Sequence, residues 1–142
     1  MILAPNVGGV PVPVPGPLSG PYWDGTRSGE LRYQRCTDCG AANFGPGLRC
    51  SACRSASVAW TASAGVGRVY SWTVVWRPQT PAFDVPYAPA IIRLDEGYDM
   101  VSALIGCEPD EIVDDMAVTV EFHAVSEEIW LPFFRPIGRT QS

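Results

Sequence analysis

The 142 residues carry a formal charge of −5, are 46% apolar, and include no lysine, one histidine and five cysteines. That apolar share supports a core and excludes wholesale disorder, while the missing lysine excludes Schiff-base chemistry, a pyridoxal anchor and a P-loop. One histidine excludes multi-histidine metal sites, and five Arg against twelve carboxylates over residues 58–142, a charge of −7, argue against a polyanion partner.

Met1 to Pro17 is rich in Pro, Gly and Val and should be extended, as a disordered tail, an interdomain linker or a docking arm. Pro11, Pro13, Pro15 and Pro17 interrupt any signal-like apolar stretch, and no run approaches the ~20 apolar residues of a bilayer span, so the cytoplasm is expected. Residues 1–18 are therefore expected to form a flexible arm. Ser19 to Glu30 predicts a short helix, with Ser19 as N-cap and Pro21 in the first turn, weakened by Gly25 and Gly29. Leu31 to Arg35 reads as a strand.

Cys36-Thr37-Asp38-Cys39-Gly40 and Cys50-Ser51-Ala52-Cys53 then form two CxxC knuckles. Each presents two thiolates on a turn whose N–H groups point at sulfur, and Gly40 suits the positive φ such a turn needs. Four thiolates at ~2.3 Å make a closed structural Zn²⁺ site with no position left for water or substrate. Iron accepts the same sulfurs. Disulfides want an oxidising compartment, and a redox CxxC usually opens a helix. The short gap between the knuckles resembles compact rubredoxin-like ribbons. Residues 19–57 are thus read as helix plus zinc ribbon.

From Val58 the apolar period becomes two, and residues 58–142 predict a second unit. Five strands are legible: Arg68–Trp76, Ala90–Leu94, Tyr98–Ile105, Ala117–Val125 and Ile129–Phe134. Asp95-Glu96-Gly97 turns the second into the third, and Pro109 to Val113 suits one helical turn before the fourth. That order is the five-stranded OB-fold barrel. The fold class expected is mainly β: N-terminal helix, zinc ribbon, OB barrel.

His123 shares the polar face of its strand with Thr119 and Glu121 and reads as a surface histidine with no nucleophile to serve. Cys107 reads as a small buried hydrophobe, since Glu108, Asp110 and Glu111 beside it would raise a thiol. The carboxylate pairs fall at turns and read as solvated. The aromatics carry more information. Tyr70, Trp72, Val74 and Trp76 alternate onto one face, with Val69, Ser71, Thr73 and Val75 on the other, although a small barrel has one interior. The surplus, with Phe83 and Tyr87 in the Pro78–Pro89 loop and Trp130, Phe133 and Phe134, predicts an apolar surface that meets a partner or ligand, or is covered by the ribbon and helix.

Over about residues 21–136 the chain resembles the zinc-ribbon plus OB-fold acyl-CoA-associated proteins, long catalogued as a domain of unknown function. The resemblance is carried by Tyr22-Trp23-Asp24-Gly25 and Gly29-Glu30-Leu31, the two knuckles, Gly67 to Val75, Pro86-Tyr87, Ile91 to Gly97, and Leu131 to Pro136. At Asp115-Met116 the family favours a glycine before the methionine. The resemblance implies a non-catalytic accessory subunit that binds a thiolase-superfamily enzyme in a heterotetramer or larger assembly, bridges it to a second enzyme such as a hydratase domain, or helps hold acyl-CoA. The nucleophile belongs to the partner. The Pro-Val-Pro arm and all-Arg composition favour the type that activates a thiolase-like aldolase cleaving a steroid side-chain 3-hydroxyacyl-CoA. Acyl-transferring and thiolytic complexes stay open. Contacts with partner or CoA are expected at Tyr22, Trp23, Trp72, Trp76, Arg77, Phe83, Tyr87 and Arg93. A nucleic-acid-binding OB module is the competing class: its stacking aromatics favour it and the acidic barrel half opposes it.

Overall fold

A computed structural model describes residues 1–138. Helix α1 spans Gly20–Arg27, shorter than expected at its C-terminal end. Gly29, at φ 78°, takes the chain out of it, and the Glu30 N–H returns to the Gly25 carbonyl at 2.8 Å. Ser19 holds the N-cap position without capping: its Oγ instead accepts the Gly16 N–H at 3.0 Å. Gly25 is a close approach, because a Cβ there would lie 2.7 Å from Arg32 Cδ.

Strands β1 (Arg32–Cys36), β2 (Ala42–Asn43) and β3 (Val58–Ala62) form an antiparallel sheet in the order β2-β1-β3. Strand β3 was not legible as a separate element; its residues pair with β1 from Arg32↔Ala62 to Cys36↔Val58. Its burial does not alternate, so no periodicity announced it.

Strands β4 (Val66–Trp72), β5 (Ala88–Leu94), β6 (Asp99–Leu104), β7 (Ala117–Ala124) and β8 (Trp130–Pro136) close a barrel in the order β4-β5-β6-β8-β7. A 3₁₀ turn at Pro109–Glu111 precedes β7. Strand β5 shows the cleanest alternation: Ala88, Ala90, Ile92 and Leu94 point inward. With Val69, Leu104, Val118 and Phe134 they fill the interior. The β6–β8 seam that completes closure is parallel and short, with one registered pair, Leu104↔Phe134.

The first barrel strand departs from the expected alternation. Its pairing with β5 shifts between Val69 and Ser71, so Tyr70 is an extra, bulged residue. Val69 faces the core before the bulge, and Trp72 and Val74 pack against the core after it, while Tyr70 is left outside. The expected Tyr70-Trp72-Val74-Trp76 face is therefore split. Regular pairing ends at Trp72, and beyond it only single links persist, such as Val75↔Tyr87.

Residues 1–18 run over the barrel. Leu3 is buried and exchanges backbone hydrogen bonds with Cys107 and Gly106 at 2.8 and 2.9 Å.

Candidate functional site

Both knuckles are built the same way. The Gly40 N–H returns to the Cys36 carbonyl and the Arg54 N–H to the Cys50 carbonyl, each at 2.9 Å. The residue after each second cysteine is left-handed: Gly40 at φ 79° as expected, and Arg54 at φ 65°. The four sulfurs of Cys36, Cys39, Cys50 and Cys53 lie within 4.8 Å of one another. Cys36 and Cys53 are 3.5 Å apart, and Cys39 and Cys50 are 3.7 Å apart. A tetrahedron with ~2.3 Å metal–sulfur bonds requires sulfurs about 3.8 Å apart, so the set fits Zn²⁺.

The thiols' acidities support the same conclusion. The Cys53 backbone N–H and then the Asn43 amide hold Cys50 down at about 6. At Cys53 the Ser55 backbone N–H pulls downward, but the thiols of Cys39 and Cys36 outweigh it and push the value up to about 12. Four sulfurs this close cannot all ionise on their own, and a divalent cation resolves the conflict.

Asn43 is the residue that sequence reasoning missed. It is buried, its Nδ2 reaches Cys50 Sγ at 3.5 Å, and its Oδ1 accepts the Ser51 N–H at 2.9 Å. Gln34 folds the loop between the knuckles, donating to the Gly47 carbonyl at 3.2 Å and accepting the Gly47 N–H at 3.0 Å. Neither sits within a cysteine motif, so no spacing marked them.

An aromatic wedge joins ribbon to barrel. Tyr98, in the β5–β6 turn, stacks on Tyr33 of β1 at 4.9 Å and on Phe44 at 5.4 Å. Tyr22 meets Phe44 and Trp23 edge-on. Tyr22 is buried within the chain and Trp23 is half-buried. The other aromatic and basic residues singled out from sequence do not converge. Trp76 is 64% exposed and Arg77 is exposed beside it. Trp72 packs toward the core, and Phe83 stacks on Tyr87 at 5.2 Å across the barrel's loop. Arg93 lies 4.1 Å over the Tyr70 ring and donates twice to Asp99, at 3.0 and 3.1 Å, so its charge is already matched.

His123 takes its expected outward position, half-buried, with Nε2 2.7 Å from Glu121 Oε2. Arg135 donates to the other Glu121 oxygen at 2.6 Å. Burial acts to raise the Glu121 carboxyl, but the bonds from His123 and Arg135 prevail and hold it low. Cys107 is buried, as expected.

Two family models match consecutive parts of the chain: the rubredoxin-like zinc ribbon domain of ChsH2 over residues 23–59, and the C-terminal OB-fold domain of ChsH2 over residues 60–123. A DUF35 domain-containing scaffold protein of Methanothermobacter thermautotrophicus is 32% identical over 101 residues, which are 70% of this chain and 76% of the relative. The chain belongs to the ChsH2/DUF35 family. A solved structure described as an Ltp2-ChsH2(DUF35) aldolase contains a chain 34% identical to this DUF35 protein, with a TM-score of 0.79, covering 87% of this chain and 98% of that one. The DUF35 chain is also 36% identical over 115 residues to a probable enoyl-CoA hydratase alpha subunit of Thermomonospora curvata, covering 81% of this chain. A 3-oxo-4,17-pregnadiene-20-carboxyl-CoA hydratase alpha subunit of Mycobacterium tuberculosis is 32% identical over 114 residues, 78% of this chain. The chain spans 36% of the length of each of these two hydratase subunits. Its ribbon holds a structural zinc, as both the family and the four-cysteine cluster require. No helix of the described residues is long and apolar enough to cross a membrane.

Proposed function

We propose that the chain is a non-catalytic accessory subunit that activates a thiolase-superfamily enzyme acting on acyl-CoA, with retro-aldol cleavage of a steroid side-chain 3-hydroxyacyl-CoA as the reaction. The observation that carries this reading is its 34% identity to a chain of an aldolase, matched over 98% of that chain. The steroid-like acyl group rests on the substrate named for the mycobacterial hydratase subunit.

The local chemistry agrees. The zinc site is closed by four sulfurs, so the metal organises the ribbon and activates no water. In this reading exposed Trp76 and Arg77, with Phe83 and Tyr87 in the adjoining loop, meet the partner or the CoA. Trp23, on helix α1, offers a second and separate contact, with Tyr22 buried behind it, while Trp72 packs toward the core and Arg93 contributes through its stack on Tyr70. A hydratase domain is a further partner of the assembly.

The test is co-expression with thiolase-fold enzymes of the native host, followed by size-exclusion chromatography and an acyl-CoA cleavage assay with and without this chain. A stoichiometric complex whose turnover rises on adding the chain supports the proposal. Turnover by the isolated chain, or no complex with any such enzyme, overturns it. Acyl transfer or thiolysis by the complex would replace the aldol step and leave the accessory role standing.

A further inference from the structure

A cavity of about 350 Å³ lies over the β6–β8 seam, away from the zinc ribbon. Its floor is barrel, including Ala103, Leu131 and Phe133; its roof is the N-terminal arm on one side and the β4–β5 loop, with Phe83 and Tyr87, on the other. Arm and loop are fastened together across the opening. Asn6 Nδ2 donates to the Asp84 carbonyl at 3.2 Å, and Asn6 Oδ1 accepts the Asp84 N–H at 2.8 Å. The arm is held again at its start, where Leu3 pairs with Gly106 and Cys107.

The lining defines the chemistry of what fits. Thirteen residues line the cavity, none of them charged, and only Asn6, Tyr87 and Ser102 bring a polar side-chain atom. The Asn6 amide is engaged by Asp84, and the Ser102 hydroxyl donates to the Pro132 carbonyl at 2.9 Å. Water needs two to four polar partners to settle in a cavity, and this one offers little beyond a tyrosine hydroxyl. A dry apolar cavity of about 150 Å³ already accepts benzene, so one more than twice that size accommodates a fused two-ring group or a medium alkyl chain. An ionised ligand would find no counter-charge among the described residues of the lining.

We propose that this cavity binds an uncharged hydrocarbon group, alicyclic, aromatic or alkyl, and that the arm, latched by Asn6 to Asp84, is its lid. Phe83 and Tyr87 are shared with the surface assigned to the partner, but the two readings are tested apart: the cavity on the chain alone, the accessory role on a complex.

The test is titration of the purified full chain with decan-1-ol and 2-naphthol, followed by heteronuclear NMR and calorimetry. Saturable binding that shifts Phe133, Tyr87 and Ala103 is expected. Leu131→Trp, which fills the floor, should weaken it at least tenfold. Asn6→Ala, which opens the latch on an exposed face, should speed ligand release several-fold while the melting temperature of the free protein stays put. If Leu131→Trp fails to fold, the release rate of Asn6→Ala carries the test. Absence of saturable binding, shifts at Trp23 and Phe44 instead, or release rates indifferent to Asn6→Ala would each overturn the proposal.

Discussion

At Arg54 and Asp115 the chain holds ordinary side chains at φ 65° and 63°, a region that costs a non-glycine residue roughly 1–2 kcal/mol. Arg54 occupies in the second knuckle the place that Gly40 occupies in the first. Asp115 leads into Met116 before β7, and aspartate tolerates the region better than arginine does. Arg54→Gly should therefore stabilise the zinc-loaded protein by about 1 kcal/mol, a rise of about 4 °C in melting temperature. Asp115→Gly should gain less, since the chain loses the carboxylate that lies 3.7 Å from Arg68. Calorimetric melting of both variants checks the order. Asn43 matters by a different route. Asn43→Ala leaves the Cys50 sulfur and the Ser51 N–H without their buried partner, and losses of this kind weaken metal sites by about 10–100-fold. Competition with a chromophoric chelator reads that directly.

Among the elements, β4 is pinned at Gly67. Gly67 pairs with Leu94 on one side and Val118 on the other, and a Cβ there would sit 2.4 Å from the Arg93 carbonyl oxygen. Gly67→Ala should cost about 3 kcal/mol, because backbone rather than a side-chain tip must yield; the denaturation midpoint in urea reports it. The β7–β8 ladder carries an ionic clasp with its own pH signature. Glu121 has a folded value below its ordinary 4.5, held down by His123 and Arg135 against its burial. Its contribution is thus complete above pH 4.5 and is lost as pH falls through the lowered value. Glu121→Gln should be less stable than the parent at pH 7, with the gap narrowing at an acid pH below 4.5. Urea midpoints at both pH values test the sign. These elements also mark what the sequence discloses. All five barrel strands and the turn at Asp95-Glu96-Gly97 are visible as period-two runs bounded by turn residues. The bulge at Tyr70 is not, because one inserted residue leaves both flanking alternations intact while exchanging their faces. Strand β3 escapes notice because Val58–Ala62 covers a small ribbon and is buried on neither face. The metal ligands were legible from spacing alone; Asn43 was not, since its contact with Cys50 is made in space across the hairpin.

At the scale of the whole molecule, one core runs from Tyr22, Leu31 and Tyr33 of the helix and ribbon, through Tyr98, into the barrel. The barrel part of it, Ile92, Leu94, Leu104, Val118 and Phe134, is enclosed by five strands hydrogen-bonded into a closed ring. The ribbon has a three-stranded sheet, one strand of which is two residues long, and such a sheet does not stand alone without its metal. Structural zinc contributes about 10–16 kcal/mol of apparent free energy in small peptides. The units meet through the Tyr33–Tyr98–Phe44 stack and through helix α1, which packs against β7 and β8, and are further linked where the Ser63 hydroxyl and Ala64 N–H donate to Glu96 at 2.7 and 2.8 Å. Removing the metal, by chelation or by Cys36→Ser with Cys50→Ser, should therefore release the ribbon first. Amide protection should fall across residues 32–62 and persist in β5, β7 and β8. Tyr98 should gain exposure, and its hydroxyl, pushed up to about 12 by burial, should titrate nearer 10. Glu96 loses its two donors at the same step and frees the β5–β6 turn. If protection instead vanished from both units together, the aromatic seam would be strong enough to make ribbon and barrel one cooperative unit, and the zinc would govern the stability of the barrel as well as the shape of the ribbon.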